Sequence, residues 1–130
     1  MNRTIIFSIV TASLTITAFA QDWYHEREDR YRGEQWRSHL FMHVKTDLEH
    51  VWSGQAADRE RARLTKTEEE LTKMQGDLDH GRWDNGILND VIDSIRKSSN
   101  DERLPPRDRD VLADDLNRLK EFQDQHNRRR

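Results

Sequence analysis

The residues best suited to chemistry in this chain are three histidines and one aspartate at helical spacing. They recur at steps of four, four and three positions as His39, His43, Asp47 and His50. At about 100° per residue, this spacing places all four on one narrow face of a helix. Neutral imidazoles on adjacent turns can share a metal ion, and a carboxylate can add an oxygen ligand. The pattern predicts a Zn²⁺ or Cu²⁺ site, whereas the alternative is a row of boundary side chains between core and solvent.

No motif of an enzyme accompanies these histidines. Leu40 follows His39 at the position where a hydrolytic H-E-x-x-H zinc motif needs a glutamate. The sequence contains no cysteine, no G-x-S-x-G motif and only five glycines, so neither a familiar nucleophile nor a phosphate-binding glycine loop is present. We therefore expect a protein without catalytic activity, and without a cofactor other than the candidate metal ion.

The first twenty residues have the parts of a secretory signal peptide. Arg3 supplies the positive charge, residues 5–19 are largely apolar, and Ala18-Phe19-Ala20 matches the small-x-small cleavage pattern. The apolar stretch is shorter than the ~20 residues of a membrane span. We expect cleavage before Gln21, a periplasmic or secreted mature chain, and no integral membrane segment after cleavage.

The composition predicts one small domain with few apolar residues for its core. The chain has 130 residues, of which 33% are hydrophobic and 36% are charged, and its formal net charge is −3. Without cysteine no disulfide can compensate for a small core, so stability must come from helix packing, a partner or a metal ion. Basic and acidic residues are mixed almost everywhere, which argues against nucleic acid as a partner.

The pattern along the chain divides it into four parts. Residues 1–20 are the signal peptide, and residues 21–33 are charge-dense without a steady period, which predicts a flexible charged arm. Residues 34–126 form the predicted helical domain, and residues 127–130 are a basic C-terminal tail.

Within the domain, four amphipathic segments are joined by short polar connectors. We predict helices over residues 34–52, 55–79 and 84–98, and a fourth that opens at Pro106. Gly81 is the predicted stop of the second helix, and Asp84 or Asn85 the predicted N-cap of the third. This pattern predicts an all-α fold, a small up-down antiparallel bundle of four helices. A three-helix core with one loosely packed helix is the alternative.

The apolar stripes of these segments predict the core. Ala57, Leu64, Leu71 and Leu78 lie seven residues apart, as in a coiled-coil heptad, although other seam positions hold polar residues. Because coiled-coil helices pair, we also expect a homo-oligomer. The predicted core positions are Trp36, Leu40, Val44, Leu48, Leu64, Leu71, Leu78, Leu88, Val91, Ile95, Leu112, Leu116 and Leu119.

The pentapeptide Leu71-Thr72-Lys73-Met74-Gln75 matches the pattern L-T-x-x-Q. It resembles a motif of the small helical periplasmic chaperones of the Spy/CpxP family, which carry it more than once, whereas this chain has it once. The resemblance implies ATP-independent holding of unfolded clients on an amphipathic surface.

Three functions remain open from the sequence. The expected one is a non-catalytic protein-interaction or structural module of the cell envelope, with a protein partner or a second copy as its ligand. The alternatives are metal binding through His39, His43, Asp47 and His50, and chaperone-like binding of unfolded proteins.

Overall fold

A computed structural model describes residues 22–53 and 60–128, and every regular element among them is helical. The all-α prediction is therefore confirmed for that part of the chain. The predicted signal peptide lies outside the described residues, as do the connector 54–59 and residues 129–130 at the end of the basic tail. The chain falls into two compact units, Met1–Trp36 and Arg37–Arg130.

Six helical elements follow one another in the described ranges. The first, α1, covers residues 22–30. A short 3-10 segment, Gln35–His39, is followed by α2 (Leu40–Trp52), α3 (Arg61–Asp79), α4 (Asn85–Ser99) and α5 (Pro106–Arg128).

The α1 helix occupies most of the predicted arm. The guanidinium of Arg27 lies 4.7 Å from the ring centroid of Tyr31, and that of Arg30 lies 5.9 Å from the ring centroid of Trp23. These cation–π pairs join residues one and two turns apart, so they favour a helix without an apolar stripe. Apolar periodicity does not detect such pairs, which is why the sequence predicted no helix here. The flexibility of residues 21–33 stays a prediction.

The predicted first helix, 34–52, is interrupted near its start. Gln35–His39 is a 3-10 segment, and the α-helix proper begins at Leu40 with no side-chain N-cap. The Oε1 atom of Gln75 accepts a hydrogen bond from the backbone N–H of Met42 at 3.3 Å. One of the amides that a helix leaves unpaired in its first turn is thus bound by a side chain from another helix.

Three predicted helix boundaries are confirmed: the N-cap at Asp84, the start at Pro106 and the stop at Gly81. The Oδ1 atom of Asp84 accepts from the N–H of Ile87 at 3.0 Å, so Asp84 is the N-cap of α4, and Pro106 is the first residue of α5. After α3, the N–H of Arg82 bonds to the carbonyl of Asp77 and that of Gly81 to the carbonyl of Leu78. This is a Schellman motif, and it requires the left-handed conformation that Gly81 adopts at φ 69°.

In the second unit, each long helix packs on two others: α2 and α4 each contact both α3 and α5. Polar contacts identify which ends meet. Gln75, near the end of α3, bonds to Met42 at the start of α2, and Gln123, near the end of α5, donates to Asn85 Oδ1 at the start of α4 at 2.9 Å. The start of α2 therefore lies beside the end of α3, and the start of α4 beside the end of α5.

Nearly all of the predicted core is buried. The exception is Leu78, which is half-buried because it lies in the last turn of α3, where it lines a cavity of about 220 Å³ at the end of the helices. Gln75 is buried in the same stretch of α3, although it is polar. The confirmed positions are Trp36, Leu40, Val44, Leu48, Leu64, Leu71, Leu88, Val91, Ile95, Leu112, Leu116 and Leu119.

Two glycines at the end of α3 provide a matched pair of alanine substitutions. Gly81→Ala should lower the free energy of unfolding by about 1 kcal/mol, because it places a Cβ in the left-handed conformation. Gly76→Ala should raise it by roughly 0.5–1 kcal/mol, because Gly76 is inside the helix and its added Cβ meets nothing within 4 Å. Urea denaturation of both variants checks this, and equal signs for the two changes would contradict it.

Candidate functional site

The histidine face of α2 is only partly assembled. The rings of His39 and His43 lie 6.2 Å apart, edge to face. His39 is exposed, whereas His43 and His50 are half-buried. His43 and His50 are seven residues apart, about 10 Å along the helix axis. His50 is thus two helical turns from His43, whereas His39 is one turn away.

Asp47 differs from these histidines in its burial, because its side chain is fully buried. Leu40, Val44, Asp47 and Val51 follow each other at steps of four, three and four, which is the seam of a packed helix. Asp47 therefore occupies a core position between apolar neighbours. The same spacing that aligns it with the histidines also aligns it with this seam, and burial decides between the two.

The described residues contain no group of three or more His, Asp or Glu side chains arranged to hold a metal ion. The predicted set of His39, His43, Asp47 and His50 is thus not brought together as one four-ligand site. The arrangement that the structure retains is the pair His39 and His43, one turn apart, with His39 at the end of the 3-10 segment and His43 in the first turn of α2.

A polar cluster that the sequence analysis missed joins α3 to α4. Arg63 Nη1 donates to the carbonyl and to the Oγ of Ser94, both at 2.9 Å, and to Ser98 Oγ at 3.3 Å. Thr67 Oγ1 and Ser94 Oγ are 2.6 Å apart. Arg63 Nε donates to Glu60 Oε2 at 2.8 Å. These five residues form what we call the Arg63 cluster.

The sequence carries a signal for this cluster. Arg63 and Thr67 lie four residues apart on α3, and Ser94 and Ser98 lie four apart on α4. Each pair interrupts an apolar stripe at the spacing of one helical turn. Two such interruptions on consecutive helices indicate a shared polar interface, but only the packing shows that they face each other.

The loop after α4 is tied to the same cluster. Arg103 Nη2 donates to Asp101 Oδ2 at 2.6 Å and to Glu60 Oε1 at 3.4 Å, and its guanidinium lies 5.7 Å from the ring centroid of Trp52. The hydrogen bond from Arg63 lowers the pKa of Glu60, and the hydrogen bond from Arg103 lowers the pKa of Asp101. Both carboxylates are thus stabilised in their charged form.

The residues of the L-T-x-x-Q pattern serve the fold in this structure. Leu71 is fully buried, and Thr72 Oγ1 donates to the carbonyl of Glu68 at 2.9 Å. Gln75 Nε2 donates to the carbonyl of Ser38 at 2.8 Å and to Asp79 Oδ1 at 2.9 Å, while its Oε1 accepts from Met42. Gln75 therefore fastens α3 to the start of α2.

Aromatic rings close the end of the unit where α5 terminates. His126 stacks on Trp83 with ring centroids 4.1 Å apart and planes 11° apart. Phe122 lies 5.2 Å from Trp83 and 5.3 Å from Phe41. The connector between α3 and α4 is thus packed against α5 and, through Phe122, linked to the first turn of α2.

A surface cavity of about 300 Å³ lies between the end of α2 and the first half of α3. Trp52 and Leu64 provide its buried apolar wall, and Glu49 and Glu68 its carboxylates. Partial burial, together with the nearby charge of Glu49, raises the pKa of Glu68. Arg61 also lines the cavity, so its charges are mixed.

No protein-family model matches this chain, and neither a curated protein nor a solved structure is significantly similar to it. The functional argument therefore depends on the geometry. Among the helices of the described ranges, none is long and apolar enough to cross a membrane.

The paired carboxylates make the stability of the second unit sensitive to acid. Their folded-state pKa values lie below the ordinary 4.5 of Glu60 and 3.8 of Asp101, so their stabilising effect is present above those values. It is lost as the pH falls through the lowered folded-state values. The stability of the wild type should therefore fall more steeply between about pH 5 and pH 3 than that of the double variant Glu60→Gln, Asp101→Asn.

Urea denaturation at a series of pH values measures this difference. The control is Asp93→Asn, which removes an exposed carboxylate paired with Arg96 on α4. Parallel stability curves for the wild type and the double variant would contradict the role given to Glu60 and Asp101.

Proposed function

We propose that this protein is exported, loses residues 1–20, and acts in the periplasm or outside the cell by binding another protein, without catalysis. The export step is supported by Arg3, the apolar stretch 5–19 and the Ala18-Phe19-Ala20 cleavage pattern. The binding partner is a protein of the cell envelope or a second copy of the chain. The mature protein is then an interaction or structural module of the envelope.

We infer that the four long helices of this protein form an up-down antiparallel bundle. The inference is supported by the polar contacts between opposite ends of neighbouring helices: Gln75 with Met42, Arg63 with Ser98, and Gln123 with Asn85. Arg37, just before α2, also pairs with Glu121 near the end of α5 at 2.9 Å. Short connectors between consecutive helices are typical of this topology.

The observation that carries a binding role is the use of the polar side chains inside the helix interfaces. Arg63, Thr67 and Gln75 on α3 are all bonded to neighbouring helices. The hydrogen-bonding groups of these side chains hold the helices together. We therefore assign the recognition of other molecules to the exposed, charge-dense faces. Such faces recognise partners by charge complementarity.

The first experiment expresses the full-length chain with a C-terminal affinity tag in its native host. Intact mass measurement should give a chain that starts at Gln21, and native mass spectrometry of the purified material should show one protein partner or a homo-oligomer in fixed stoichiometry. A tagged helical protein of similar size behind the same signal peptide is the control. A full-length chain retained in the cytosol would contradict export, and a monomer without a partner would contradict the binding role.

The alternative, metal binding, is favoured by the juxtaposition of His39 and His43. Calorimetric titration of the untagged mature chain with Zn²⁺ and Cu²⁺ tests it, with His43→Ala as the variant and His25→Ala, an exposed histidine on α1, as the control. Our proposal predicts no saturable heat that depends on His43. Saturable heat that is lost in His43→Ala and retained in His25→Ala would replace our proposal with a metal-binding role.

A further inference from the structure

The α3 helix has the sparsest apolar anchoring of the four long helices. Over its nineteen residues the buried apolar side chains are Leu64, Leu71 and Met74. Over the thirteen residues of α2 they are Leu40, Phe41, Val44, Leu48, Val51 and Trp52. Because burial of apolar surface is the main favourable contribution to folding, α3 gains the least from it per residue.

Polar contacts at its two ends compensate for this sparse anchoring. Near its start, Arg63 binds the carbonyl and hydroxyl of Ser94 and the hydroxyl of Ser98 on α4. Near its end, Gln75 binds the carbonyl of Ser38 and the N–H of Met42. Hydrogen bonds with a charged donor are stronger than neutral ones, so the Arg63 contacts are the stronger of the two attachments.

The sequence around Gln75 weakens the helix further. Gly76 lies in the interior of α3, where glycine is unfavourable because it loses the most backbone entropy on folding. Immediately beyond α3, Gly81 permits a sharp change of chain direction. The helix thus combines low intrinsic stability with polar attachments in which Arg63, assisted by Thr67, and Gln75 take part.

We propose that α3 is a separate opening unit of the fold, held closed by Arg63 at one end and Gln75 at the other, and that it opens before α4 and α5 unfold. Opening exposes the apolar side chains Leu64, Leu71 and Met74, which the closed form buries. This conformational step goes beyond the proposed function and does not depend on it. Segments with few buried apolar contacts are the ones that open locally in folded proteins.

Native-state hydrogen exchange of the mature chain, followed by mass spectrometry at low urea concentrations, tests the proposal. In the wild type, amides of α3 should exchange faster than those of α4 and α5 and should respond less to urea. Arg63→Gln should accelerate exchange in α3 by about tenfold or more, because it removes several hydrogen bonds from a charged donor. Exchange in α3 should remain faster than exchange in α5 and less dependent on urea, because α5 opens only when the whole unit unfolds.

Two variants serve as controls. Arg96→Gln makes the same substitution at an exposed arginine of α4 that pairs with Asp93, and it should leave exchange in α3 unchanged. Gly76→Ala strengthens α3 without touching either attachment, and it should slow exchange in α3 about twofold to fivefold, while that exchange keeps a weaker dependence on urea than exchange in α5. The Gly76→Ala result stands by itself if Arg63→Gln does not fold.

Uniform behaviour would overturn the proposal. If α3 is protected as strongly as α4 and α5 in the wild type, it is not a separate unit. The same conclusion follows if exchange in α3 depends on urea as steeply as exchange in α4 and α5, in the wild type or in either variant, because that dependence belongs to global unfolding.

Discussion

A guanidinium group between two helices organises much of the second unit of this protein. Arg63 reaches from α3 to both serines of α4, and Glu60 and Thr67 complete its surroundings. A charged group in such an interface is tolerated only when its donors have acceptors, because an unpaired charge there would cost several kcal/mol. The polar side chains on α4 and the carboxylate at the start of α3 are consequences of that requirement.

The need for such a cluster follows from the composition. Only 33% of the residues are hydrophobic, and the chain has no cysteine that could form a disulfide. The apolar side chains are concentrated on α2, α4 and α5, where they form the core, and α3 receives few of them. Polar contacts then hold the helix that lacks apolar ones, and they also define its position, since hydrogen bonds are directional whereas apolar contacts are not.

Because many polar side chains are used to hold segments of the fold together, the described residues carry little that resembles a reactive site. Gln75, Arg63 and Asp101 are each engaged in holding one segment to another. The histidines of α2 are the main exception, because His39 is exposed and lies beside His43. A binding role carried by exposed surface is compatible with this distribution.

Local features of the helices could be predicted from the sequence. The cap at Asp84, the stop at Gly81, the start at Pro106 and the apolar positions of the core depend on residues within one or two turns of each other. Their physical causes are short-range: the carboxylate of a cap, the freedom of glycine at positive φ, and the helical repeat of apolar side chains.

The tertiary structure alone decided how the ambiguous residues are used. Asp47 has the spacing of both a metal ligand and a seam residue, and burial places it in the core. The roles of Arg63 and Gln75 are visible only in the packing, which brings Ser94, Ser98 and Met42 against them. The helical repeat fixes which residues share a face, but the environment of that face depends on partners far away in the chain, which no local pattern contains.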